Sequence, residues 1–146
     1  VEFELTSSAP GALVVIGLDA RDRLYQLYPN PASARVNALR GLPAASLQRI
    51  EANVPFRIPD PTWGFSIVAA EPFGASKLVA LVTQDPVDLS DILQEGTRGL
   101  AIVPIGTPGT LLERIARRLR LPWPDDDNSV RPIRWAAALY DYETAP

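Results

Sequence analysis

The chain contains no cysteine, no histidine and no methionine, and its only lysine is Lys77. Without cysteine, a disulfide scaffold is excluded. Without cysteine and histidine, the usual zinc ligand sets, haem ligation and any Cys–His or Ser–His nucleophile pair are excluded too. Basic charge is also short: 14 Lys and Arg face 17 Asp and Glu, for a net charge of −3 at pH 7. Phosphate binding needs a basic surface, so nucleic acid is not expected as a partner. No apolar run comes near the roughly 20 residues of a membrane-spanning helix, and no signal peptide is visible. A chain that starts at Val1 and holds no methionine leads us to expect a segment of a longer protein.

What the sequence does have is enough apolar material for a core. Of its 146 residues 47% are hydrophobic and 21% charged, ordinary values for a globular domain. We expect one domain over residues 1–146, burying about two-thirds of the surface that the unfolded chain exposes. The 15 prolines suit a fold with many turns.

Apolar residues recur mostly in short runs. Val1, Phe3 and Leu5 alternate with polar neighbours, the period of a half-buried strand. Ala12–Leu18 is a continuous, β-branched run that reads as a strand covered on both faces. Asp19–Arg23 is a polar connector, and Leu24–Tyr28 is the return strand, stopped by Pro29. A short helical turn is expected within Ala44–Ile50. Phe56 and Ile58 read as an edge segment between Pro55 and Pro59. Further strands are expected over Gly64–Ala70, Lys77–Thr83, Leu100–Val103 and Ile133–Tyr142. In the last of these, Ile133, Trp135, Ala137 and Leu139 share one side.

Two helices are expected. Ser90 can cap a short one ending at Gly96. The stronger covers about 108–121, with Thr107 as cap and Pro108 at its first position, or alternatively a Thr110–Glu113 capping box. Leu111, Leu112, Ile115, Ala116 and Leu119 fall on one face. Trp123–Pro132 reads as an acidic loop. The expected fold is mainly β: an antiparallel β-sandwich or partly open barrel of about seven strands, with one amphipathic helix.

The hairpin Leu13–Asp19 and Leu24–Asn30, ending in Tyr28-Pro29-Asn30, resembles the opening of a bacterial family, domain of unknown function 4384. Ile58-Pro59, Phe65, Pro72-Phe73-Gly74, the strand Leu78–Thr83 and Pro86 follow in the family's order. The likeness covers residues 11–86. The turn Asp19-Ala20-Arg21-Asp22-Arg23 departs from it in lacking a glycine. The resemblance implies a small β-rich module attached to larger bacterial proteins, among them caspase-like peptidases, kinase-like proteins and envelope or secreted proteins. It implies no catalytic residues. Lack of cysteine suits either side of a bacterial inner membrane; a periplasmic or secreted location is the expectation.

Few residues carry a chemical signal of their own. Asp125, Asp127 and Ser129 have the spacing that opens a calcium loop. Val130 stands where that loop needs glycine and Ala136 where it needs glutamate, so a solvated acidic turn is expected. Arg114, Arg117, Arg118 and Arg120 lie on the strong helix and can meet an anionic membrane or an acidic partner, or simply favour the helix dipole. Ser76 and Lys77 point to opposite faces of a strand, which disfavours a Ser–Lys nucleophile. Most aromatics are expected in the core; Trp63 and Phe73 lie beside turns and are the candidates for an exposed contact. No catalytic residue and no cofactor is expected. The functional expectation is a non-enzymatic accessory module that contacts another protein. The alternatives are a regulatory or targeting segment of a caspase-like peptidase, and a carboxylate-dependent hydrolase or glycan binder of the cell envelope.

Overall fold

The computed structural model describes residues 1–30, 33, 35, 38–39, 41, 49–89, 91–92 and 108–146. Its organising element is the apolar run Gly11–Leu18, which forms strand β2. Around it lie β1 (Phe3–Leu5), β3 (Leu24–Tyr28), β4 (Arg49–Ile50), β5 (Phe56–Ile58), β6 (Gly74–Thr83), β7 (Pro122–Pro124), β8 (Val130–Pro132) and β9 (Trp135–Thr144). The α-helix α1 spans Pro108–Leu119, and a single 3-10 turn spans Pro61–Trp63. The main sheet is antiparallel in the order β3-β2-β6-β9, with β4 also paired to β2. Two ribbons, β1-β5 and β7-β8, complete the set. The molecule is mainly β, and the sheet stays open rather than closing into a barrel.

β2 is buried on both faces, as its unbroken apolar run requires. Leu13 and Val15 face one side and pack with Leu27, Tyr28, Ile58, Leu78 and Ala80, with Phe3, Leu5 and Phe56 of the β1-β5 ribbon closing over them. Val14 and Ile16 face the other side, where Leu111, Ile115 and Leu119 of α1 cover them together with Ile133. Leu78, Ala80 and Val82 of β6 share the ribbon side. Between β2 and its neighbours there is no room for a side chain at Gly11: a Cβ there would sit 2.5 Å from the Thr83 carbonyl oxygen.

Several expectations need correction. Gly64–Ala70 forms no strand. Phe65, Ile67 and Ala69 are half-buried and their neighbours exposed, so the two-residue period is real. It reports one-sided burial of an extended chain, and no described strand pairs with it. Trp123–Pro132 is not a loop but the β7-β8 hairpin, in register from Pro122↔Pro132 to Pro124↔Val130. A two-stranded ribbon has free outer edges, so it tolerates proline. Its turn is closed by Asp125 N–H donating to the Ser129 carbonyl, with Asn128 at φ 64°. Helix α1 ends at Leu119, short of 121; the Arg120 and Leu121 amides bond to the Arg117 and Arg118 carbonyls in a tightened last turn. Thr110 lies inside that helix, so the capping-box alternative does not apply. Of the turn expected within 44–50, residues 44–48 lie outside the described residues, and Arg49–Ile50 form β4. Ser90, residues 93–96 of the helix expected after it, the strand Leu100–Val103 and the cap Thr107 also lie outside them, and Asp91 and Ile92 lie in a turn.

Candidate functional site

Strand β9 pairs with β6 over its whole length, from Thr83↔Trp135 to Gly74↔Thr144. Polar contacts fix both ends. At the start, the Asp85 carboxylate, 3% exposed, receives both terminal nitrogens of Arg131 at 2.7 and 2.8 Å, the Arg134 amide at 2.8 Å and the Arg134 guanidinium at 3.0 Å. The Arg131 hydrogen bonds dominate and hold the Asp85 carboxyl well below the usual carboxylate range, against the opposing effect of burial. At the far end, Lys77 pairs with Asp141 directly across the strands, and the Gly74 amide donates to the Thr144 hydroxyl at 3.2 Å.

Between those ends the strand reads Trp135-Ala-Ala-Ala-Leu139-Tyr140, without a charge. Trp135 is 51% exposed, Leu139 62% and Tyr140 60%. Register places Trp135, Ala137 and Leu139 on the α1 side of the sheet, with Val79 and Leu81, and Ala136, Ala138 and Tyr140 on the opposite side. Both faces are therefore apolar and both are open to water. The outer edge of β9 has no strand beside it among the described residues. An apolar groove of about 240 Å³ runs between α1 and this strand, lined by Val79, Leu112, Ala116, Trp135 and Ala137 among others.

A second concave feature lies on the other face. A cleft of about 430 Å³ is bounded by Phe3, Tyr25, Phe65 and Tyr142, with Asp19, Arg23, Glu71 and Ser76 among its polar groups. Asp19 is already committed: it accepts from the Arg21 and Arg23 amides, the Arg23 guanidinium at 2.7 Å and the Tyr25 hydroxyl at 3.2 Å. Burial pulls its carboxyl up, but these hydrogen bonds outweigh that and hold it below its ordinary value. A carboxylate so held is a poor proton donor at neutral pH. Burial also pushes the Tyr25 and Tyr142 phenols up, so both hydroxyls stay protonated.

The residues singled out in the sequence are mostly occupied within the fold. Trp63 is half-buried and stacks on Tyr28 at 5.7 Å and on Phe65 at 6.0 Å. Phe73 is half-buried at the start of β6. Arg118 forms a bidentate pair with Asp91, Arg114 donates to the Asp91 carbonyl, and Arg117 pairs with Glu113. Asp127 accepts from Ser129 within the β7-β8 turn, and Asp125 lies 3.7 Å from Arg131. No cluster of three metal-ligating side chains occurs among the described residues. No described helix is long and apolar enough to cross a membrane. Trp135 corrects the expectation of a core aromatic, because β9 is the last strand in the sheet order among the described residues and leaves its indole 51% exposed. Sequence reasoning missed it, because a strand apolar on both faces reads as one covered on both sides.

Comparison with known proteins matches residues 1–86 to the family described as Domain of unknown function (DUF4384). No curated protein matches, and no solved structure does.

Proposed function

The chain belongs to the family of domains of unknown function DUF4384, and from that premise we propose that it is a non-catalytic interaction module of a larger bacterial protein, holding a partner polypeptide along β9. The observation that carries this reading is the bare stretch Trp135–Tyr140, apolar on both faces and unpaired along its edge among the described residues. An exposed, flat, apolar edge of this length is a template for strand addition and an aggregation hazard if left open. Backbone hydrogen bonds supply affinity in such an interface, and the side chains on alternate faces supply selectivity.

A photo-crosslinking residue placed at Leu139 in the full protein, in its native cells, tests the reading. It is expected to capture a second polypeptide, whereas the same residue at Val68, which is 78% exposed but away from β9, is not. Equal capture at both positions, no capture at Leu139, or adducts only within one chain would overturn it.

The aromatic cleft supports a second reading, a small-ligand or glycan binder. Its volume is in the range of ligand pockets, and Phe65 on its wall stacks on Trp63. Trp63 fluorescence should therefore respond to an occupied cleft. A glycan panel that leaves the emission unchanged at millimolar concentration would remove this reading.

A further inference from the structure

We propose that the polypeptide held by β9 is a second copy of this chain, paired antiparallel about a two-fold axis through Ala137. The inference rests on reading β9 as an interaction edge and adds the identity and register of the partner.

A two-fold axis normal to the sheet constrains the register. Directly opposed residues of an antiparallel pair share a face, so each residue must meet one of its own parity. Centred on Ala137, Trp135 comes opposite the partner's Leu139, and Leu139 opposite the partner's Trp135. These are the two most exposed large side chains on the α1 face of the strand. Small alanines lie between them, so neither pair is crowded. On the other face Ala136 meets the partner's Ala138. Just outside the strand, Arg134 meets the partner's Tyr140, a cation-over-ring arrangement.

Neighbouring registers are worse. An axis through Ala138 sets Trp135 against the partner's Asp141. An axis through Leu139 sets Ala137 against the partner's Asp141 and Trp135 against the partner's Glu143. An axis through Ala136 sets Trp135 against the partner's Ala137 and Leu139 against the partner's Ile133, which is already buried in its own chain, so the two large exposed side chains no longer meet. The register at Ala137 keeps Asp141 and Glu143 outside the apolar stretch, with Asp141 still free to pair with Lys77. It also brings the two α1–β9 grooves to the same side of the joined sheet. There each copy's Leu139 covers the rim formed by the partner's Trp135.

The absence of cysteine makes the test clean. With the axis on Ala137, the two copies of an Ala137→Cys variant lie about 5 Å apart between Cα atoms, within disulfide range. The two copies of Ala136→Cys, or of Ala138→Cys, lie roughly 8 Å apart from the strand rise and spacing, beyond that range. Light scattering of the unmodified chain at 100 µM is expected to give twice 15.9 kDa. Leu139→Lys, at a position exposed in the single chain, should keep the circular dichroism spectrum and weaken dimerisation at least tenfold. Mild oxidation should link Ala137→Cys into a dimer faster than either neighbour. A monomeric mass at 100 µM overturns the proposal, and so does faster linkage at 136 or 138. If, in addition, photo-crosslinking at Leu139 captures a different polypeptide, the interaction reading stands and only the second copy falls.

Discussion

Asp85 ties the start of β9 to the end of β6, and its removal tests how the sheet is held. It is 3% exposed and accepts four hydrogen bonds, two from Arg131 and two from Arg134. Asp85→Ala leaves the Arg134 amide without its acceptor, which costs about 1–3 kcal/mol for a buried group. Breaking a buried ion pair costs about 3–5 kcal/mol when the remaining charge is trapped. Here the arginines are not trapped: the Arg131 side chain is 24% exposed and that of Arg134 58%, so water takes up part of the loss. About 3 kcal/mol is the expected sum of these effects. At a urea slope of about 2 kcal/mol/M, the unfolding midpoint should fall by about 1.5 M. Acid gives an independent check. The native Asp85 carboxyl lies below its unfolded value of 3.8, chiefly through the Arg131 hydrogen bonds. Its stabilisation is therefore complete above that value and is lost as pH falls through it toward the native one. The stability gap between the parent chain and Asp85→Asn should be widest at neutral pH and narrow below about pH 4. A midpoint shift under about 0.3 M, or a gap that does not close in acid, would refute the account.

Two other substitutions probe the interior. Gly11→Ala would place a Cβ 2.5 Å from the Thr83 carbonyl oxygen and 2.8 Å from Val82 Cγ1, so β2 and β6 must separate locally. A loss of about 1–3 kcal/mol in urea unfolding is expected, and an unchanged midpoint would show that the contact relaxes freely. Tyr28 is pushed up to about 12, first by burial and then by the Asp60 charge. Its native value lies above the unfolded one, so it contributes stability below pH 10 that is lost as pH rises toward 12. Spectrophotometric titration should show a native phenol that ionises only near pH 12, and Tyr28→Phe should remove that step.

The parts of the fold that the sequence disclosed are those where local pattern and burial agree. Ala12–Leu18 announced a strand covered on both faces because every residue in it is apolar or small, and the structure extends it by one residue to Gly11. Leu24–Tyr28 had a firm stop at Pro29, and α1 had Pro108 at its start and an apolar stripe along it. The three Xaa-Pro pairs that carried the family likeness, Tyr28-Pro29, Ile58-Pro59 and the pair before Phe73-Gly74, are all cis in the structure. Pairing was less legible. Gly64–Ala70 shows a strand's alternation without a strand's partner, since a one-dimensional pattern carries burial but not hydrogen bonding. Trp123–Pro132 looked like a loop because its prolines and aspartates mask a three-residue register. Trp63 and Phe73 lie beside turns in the sequence, but proximity to a turn carries no information on the stacking of Trp63 on Tyr28 from a different part of the chain.

The exposed edge was hidden for a deeper reason. Whether a strand is central or peripheral depends on strand order, which no local pattern encodes. The matched stretch, residues 1–86, supplies β1 to β6 and ends beside Asp85. The residues after it return as α1 to cover Val14, Ile16 and Leu81, and as β9 to pair with β6. Asp85 joins these two stretches, since both of its arginines come from after residue 86. The same carboxylate that fixes the start of β9 therefore places Trp135, one residue beyond Arg134, at the open side of the sheet. Loosening that contact by Asp85→Ala should disturb the proposed interface along with the fold, whereas Leu139→Lys should disturb the interface alone. Comparing the two variants separates a surface that the fold merely exposes from one that it positions.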